Sequence, residues 1–196
     1  MASYEYDRGT DPSTGLYLIG TKAVSAAVKD EWPDKTFEAK CSGSNIELDF
    51  DVDLTTGEKT TLDQIISDTK TSWPLQREKS IKNGDIDSKT DDIIAEGYIF
   101  DSNLFSLSAN AQINIAAIKQ ASDAGWVAFP VAWSTKTDGE YSVSEADFPA
   151  FYGRALAAKK YALDSGRALK VQVNACTTVA QVLAIDDDRV VQPYNP

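Results

Sequence analysis

Between Asn45 and Leu54 apolar and polar residues alternate without a break: Ile46, Leu48, Phe50, Val52 and Leu54 against Glu47, Asp49, Asp51 and Asp53. A period of two places each set on its own face of an extended chain, so a strand is expected with one core face and one acidic face. Upstream, Val24, Ala27, Val28 and Trp32 recur at helical spacing within residues 21–32, and Pro33 stands where a helix cannot continue. A short strand is expected at 16–19. Residues 1–15, rich in Asp, Ser, Thr and Gly, read as an arm or loop of the kind that docks on neighbours.

Thr55-Thr56-Gly57-Glu58 sets a hydroxyl three residues before a carboxylate, a capping box ahead of a helix carrying Leu62, Ile65 and Ile66. Trp73-Pro74 predicts a break, because the residue before proline is pushed out of helical geometry. The polar run 76–89 contains Asn83-Gly84, a turn signal, and reads as helical turns within a linker. Gly97 suits a helix C-terminus, and short strands are expected at 98–100 and 103–106 around Asp101-Ser102. Ser108 should cap a helix ending at Ala124-Gly125. A strand with an edge proline, Pro130, spans 126–134, and a turn at 136–139 follows. Ser144 to Asp147 should open a long helix running to about Asn174, with Gly153 and Gly166 as bending points. Thr177 or Thr178 begins a last short helix, and 190–196 is an extended tail.

This order predicts an α+β protein of two small domains, each with short strands packed on helices, the second dominated by one long helix. The boundaries are an N-terminal docking domain at 1–72, a linker at 73–89 and a C-terminal domain at 90–196.

Composition narrows the function classes. There is no histidine among the 196 residues, which removes the Ser-His and Cys-His couples and the usual catalytic zinc ligands. A net charge of -11 repels nucleic acid and anionic lipid. No apolar run approaches the ~20 residues of a membrane helix, and the first ten residues lack the apolar core of a secretory signal, so synthesis in a cytoplasm is expected. Cys41 and Cys176 fit no metal-binding spacing and read as two free thiols.

Candidate chemistry is sparse. Asp49-x-Asp51-x-Asp53 imitates the start of a calcium loop, but Leu54 and Thr60 stand where that loop needs glycine and glutamate, and strand alternation already explains the spacing. Asp186-Asp187-Asp188 suits a basic partner patch or simple solvation. Ser106, Ser108, Asn110, Gln112 and Asn114 crowd a helix start, where capping is the simpler account and ligand binding the alternative. Trp32, Trp73, Trp126 and Trp133 suit sugar stacking, yet Trp126 and Trp133 sit in an apolar run that burial explains. Trp73 is the expected exposed contact. The candidate partner contacts are therefore Trp73, Asp186, Asp187, Asp188 and Tyr194; no catalytic, cofactor or metal residues are assigned, and no enzyme activity is expected.

One block resembles a known family. Asp91-x-Ile-Ile-x-x-Gly97, the aromatic strand after it, Phe105-Ser-Leu-Ser108 and Ala109-x-Ala-Gln-x-Asn114 resemble a small domain of unknown biochemistry found in tailed-bacteriophage tail and tail-fibre proteins, over roughly residues 85–187. Residues 54–65 also look like a strand-then-helix element of small phage structural proteins. The resemblance implies a virion component made in the host bacterial cytoplasm: a baseplate or tail-fibre adaptor acting by protein–protein contacts, with homo-oligomer, ring or fibre neighbours and no nucleic-acid or membrane partner. Alternatives are a head decoration or cement protein, a tail-fibre assembly chaperone, and a carbohydrate receptor-binding module. It supplies no catalytic residues.

Overall fold

The computed structural model describes residues 2–11, 15–137 and 139–196. The fold is α+β, and the chain divides into two compact units. One comprises residues 2–80 with 177–182, the other 81–176 with 183–196.

Unit 1 is built on a three-stranded antiparallel sheet in which β3 (Asn45–Phe50) lies between β1 (Ala2–Asp7) and β2 (Phe37–Ser42). The expected alternation appears in β3, where Ile46, Leu48 and Phe50 are buried and Glu47 and Asp49 lie on the other face. β3 ends at Phe50, which pairs with Ala2 and Phe37, the first residues of both neighbouring strands, and Asp51 N–H then donates to Thr36 O at 3.3 Å. Val52, expected in the core, is exposed. The N-terminal segment is a strand rather than an arm: Tyr4 and Tyr6 turn inward opposite Leu48 and Ile46. Residues 16–19 form no strand, only a single bridge between Tyr17 and Thr10.

Val24 and Val28 of helix α1 (Thr21–Glu31) join Leu62 and Ile66 of helix α2 (Thr56–Glu96) and the β3 residues in one core, with Trp73 packed at its edge. The capping box forms as expected: Thr55 N–H donates to Glu58 Oε2 at 2.8 Å, and Glu58 N–H to Thr55 Oγ1 at 3.3 Å.

The break expected at Trp73-Pro74 does not occur. α2 is a single helix of 41 residues with Pro74 inside it, so 73–89, read as a linker, is helical throughout, Asn83-Gly84 included. Its apolar positions come in two sets, Leu62 and Ile66 in the first unit and Ile86 and Ile93 in the second. The buried hydroxyls of Thr69 and Thr90 donate to the carbonyls of Ile65 and Ile86, both at 2.7 Å. They are thereby satisfied within the helix.

In unit 2, α2 ends at Gly97, whose φ of +88° and 2.0 Å separation between a hypothetical Cβ and Phe105 O admit no other residue without displacement. The hairpin of β4 (Tyr98–Phe100) and β5 (Asn103–Phe105) turns on Asp101 and Ser102, both at positive φ. Helix α3 (Ala109–Asp123) starts at Ser108, whose Oγ accepts from Ala111 N–H. The strand expected at 126–134 is only β6 (Val131–Ser134), since Pro130 has no N–H for a ladder. β6 pairs antiparallel with β7 (Glu140–Val143). The expected turn between them includes Asp138, which lies outside the described residues. Helix α4 (Phe148–Ala175) runs without interruption through Gly153 and Gly166. Phe151 is the centre of the core, with ring centroids 4.9 Å from Phe105, 5.4 Å from Trp133 and 5.6 Å from Tyr98. A final short helix, α5 (Val179–Leu183), precedes the C-terminal segment.

Candidate functional site

The sequence-expected contacts are divided between the two units. Trp73 is half-buried in unit 1, lining a groove of about 440 Å³ between α1 and α2 with Ala23, Ala27 and Gln76. The other four lie in the C-terminal segment of unit 2, where two serve the fold directly.

Asp187 is held by Arg189, whose Nε donates to Oδ1 at 2.8 Å and Nη2 to Oδ2 at 2.6 Å. The same guanidinium donates to Thr90 Oγ1 at 2.8 Å and to Ile86 O at 3.0 Å, and its side chain is 8% exposed. Arg189, with the Lys89 ammonium farther off, keeps the Asp187 carboxyl below the usual aspartate range. Gly166 makes room for this cluster: a Cβ there would lie 2.5 Å from Thr90 Oγ1. Tyr194 lies alongside β4, its N–H donating to Gly97 O at 3.0 Å and its carbonyl accepting from Ile99 N–H at 2.9 Å, while its ring packs at a tilt of 42° against Tyr161. Asp186 and Asp188 are exposed, and Asp188 lines a C-terminal cavity with Ile93, Tyr161 and Tyr194.

The expectation for the tryptophans is corrected. Trp126, read as core, is 83% exposed, whereas Trp133 packs on Phe151 as expected. The helix that Trp126 follows ends at Gly125, φ +72°, which turns the chain away before burial is reached.

A second groove, of about 550 Å³, runs along β6. Val131, Ala132, Trp133 and Ser134 form one wall, and Asn110, Ala111, Asn114, Ala117 and Ile118 of α3 form the other. The spacing i, i+1, i+4, i+7, i+8 is a single helix face. Ser106 and Ser108 close one end, the first accepting from Ser108 N–H at 3.0 Å. Four of the five polar residues singled out around this helix start thus line the groove. The fifth, Gln112, is turned away, donating to Leu107 O at 2.7 Å and accepting from Lys159 on α4. The amides of Asn110 and Asn114 are exposed and make no hydrogen bond among the described residues. Among the described residues, no charged side chain lines this groove.

Both cysteines are free. Among the described residues no group of three His, Cys, Asp or Glu side chains is placed to hold a metal ion, and Asp49 is paired with Lys40 at 2.9 Å. No described helix is long and apolar enough to cross a membrane.

Residues 77–189, more than half of the chain, match the family described as Domain of unknown function (DUF4376). The chain belongs to that family. The DUF4376 region contains both walls of the β6 groove and ends on Arg189, so it takes in the ion pair that ties the C-terminal segment to α2. No curated protein and no solved structure matches the chain. Sequence reasoning missed Arg189, because a run of three acids reads as solvated until a cation two residues on is placed beside it. It also missed the β6 edge as a site, although Pro130 had marked the strand as an edge.

Proposed function

We propose that this chain is a structural component of a tailed-bacteriophage virion, a baseplate or tail-fibre adaptor that works through protein–protein contacts rather than catalysis. What supports the reading is the block at 91–119, whose likeness is to phage tail domains and which here contributes a wall of an open, uncharged groove beside an unpaired strand edge. The absence of histidine and the lack of a nucleophile motif in the sequence agree with a non-catalytic role.

Mass spectrometry of purified phage particles, with heads and tails fractionated, tests this. The expected result is the chain in tails at no more than tens of copies. Hundreds of copies in heads would make it a cement protein. Absence from particles would leave an assembly chaperone or a non-viral role.

Trp126 favours a second reading, a carbohydrate receptor-binding module, since an indole exposed to this extent is suited to stacking on a sugar ring. Glycan binding that is lost in Trp126→Ala would move the assignment there.

A further inference from the structure

We propose that the slot between β6 and α3 takes an extended, uncharged peptide segment of a partner protein, which adds to β6 as a further strand. The proposal rests on the reading above only in requiring a protein partner.

Four consecutive residues of β6 border the slot. Side chains of successive strand residues point to opposite faces, so only the edge of the strand can adjoin all four. That edge is unpaired among the described residues: β6 belongs to a two-stranded sheet and β7 occupies its other side. The parity of the ladder identifies the groups involved. Thr135 N–H donates to Gly139 O at 2.9 Å, which makes that pair a hydrogen-bonded one, so Trp133 with Tyr141 and Val131 with Val143 are bonded in turn. The N–H and C=O of Ala132 and Ser134 therefore point away from β7, into the slot. Lys136, of the same parity, already uses its outward N–H, donating to Leu104 O of β5 at 2.8 Å, which closes that end.

The opposite wall matches in length and chemistry. The α3 face from Asn110 to Ile118 covers about 12 Å at 1.5 Å per residue, and the strand from Val131 to Ser134 covers about 10 Å. An added strand has a second edge, and the Asn110 and Asn114 amides stand on the wall that this edge would face, with both donors and acceptors available. Ala111 and Ala117 leave room for its side chains. Charge selects the guest: a Lys or Glu directed into a slot without a counter-charge would be desolvated unpaired, whereas Val, Thr, Ser or Ala would not. Backbone pairing of this kind provides affinity, and the helix wall provides selection.

The test uses the purified full chain, isotope-labelled, titrated with a blocked hexapeptide of alternating Val and Thr and followed by amide NMR. The Ala132 and Ser134 backbone amides and the Asn110 and Asn114 side-chain amides should shift together. Ala132→Pro removes one outward N–H without touching the ladder to β7, and should weaken binding by about tenfold, the worth of one or two hydrogen bonds. Ser142→Pro, which does the same to the far edge of β7, should leave binding unchanged. Should Ala132→Pro fail to fold, Ala117→Trp, at an exposed position, fills the slot and serves in its place. A peptide carrying Glu at its centre should not bind.

No shift at the β6 amides up to the solubility of the peptide overturns the proposal, as does undiminished binding by Ala132→Pro. The same amides shifting with protein concentration alone would assign the edge to a second copy of this chain, which also overturns it. None of these outcomes depends on particle composition, so a chain found in tails that ignores the peptide loses only the slot. A chain that binds the peptide but is absent from particles loses only the virion reading.

Discussion

Three adjacent carboxylates at 186–188 have different environments and should respond differently to removal. Asp187 neutralises a buried guanidinium, so Asp187→Ala leaves Arg189 without its counter-charge and should cost about 3 kcal/mol. Asp186→Ala and Asp188→Ala remove exposed groups and should stay within about 0.5 kcal/mol. Urea denaturation of the three variants measures this, and equal losses would refute the pairing account. Tyr98 presents the opposite case. It is fully buried against Phe105 and Phe151, and its hydroxyl has no partner among the described residues. Tyr98→Phe keeps the ring contacts and discards an unpaired polar group, so stability should hold or rise by about 1 kcal/mol. A clear loss in the same denaturation measurement would mean that the hydroxyl is bonded.

At the scale of elements, α2 carries a residue that its own geometry disfavours. Pro74 removes one helical hydrogen bond, that to Lys70 O, and its ring crowds the turn before it. The helix continues because Leu62 and Ile66 on one side and Ile86 and Ile93 on the other are buried in the cores of their units. Pro74→Ala restores the bond and a good helix former, and should raise stability by about 1–3 kcal/mol, read as a higher denaturation midpoint with more helical circular dichroism on warming. No gain would show that the helix is already interrupted there in solution. The signals that lie within one turn behaved as local chemistry requires: Thr55 with Glu58, Ser108 with Ala111, and Gly97 in left-handed geometry are each satisfied by atoms a few residues away. The Trp73-Pro74 signal was also local, and tertiary burial overrode it.

For the whole molecule, the cited shifts set the pH limits of stability. Lys35, then the Thr55 backbone and hydroxyl, hold the Glu58 carboxyl down at about 2, below its ordinary 4.5. Asp49 beside Lys40, Asp164 beside Lys160 and Asp187 beside Arg189 are lowered likewise. A depressed carboxylate contributes stability that is complete above its unfolded value and is lost as pH falls towards its folded one, so thermal stability should decline from about pH 4.5 downward. Burial raises Tyr98 above its ordinary 10, which adds a limit on the alkaline side, where stability is lost as pH climbs past that value. Between these limits melting temperature should be nearly flat, and Glu58→Gln should blunt the acid decline. An acid decline of the same steepness in Glu58→Gln would remove Glu58 from the account.

The α+β class, the caps and the β4–β5 and α3 elements are legible in the sequence alone, because each rests on periodicity or on contacts within a few residues. It took the packed fold to show that the N-terminal segment is a strand on β3, that Tyr194 lies against β4, that Trp126 faces solvent and that the edge of β6 opposes a polar helix face. Each of those joins residues far apart in the chain, and the burial or pairing that fixes them is set by the partner surface rather than by any window of the sequence.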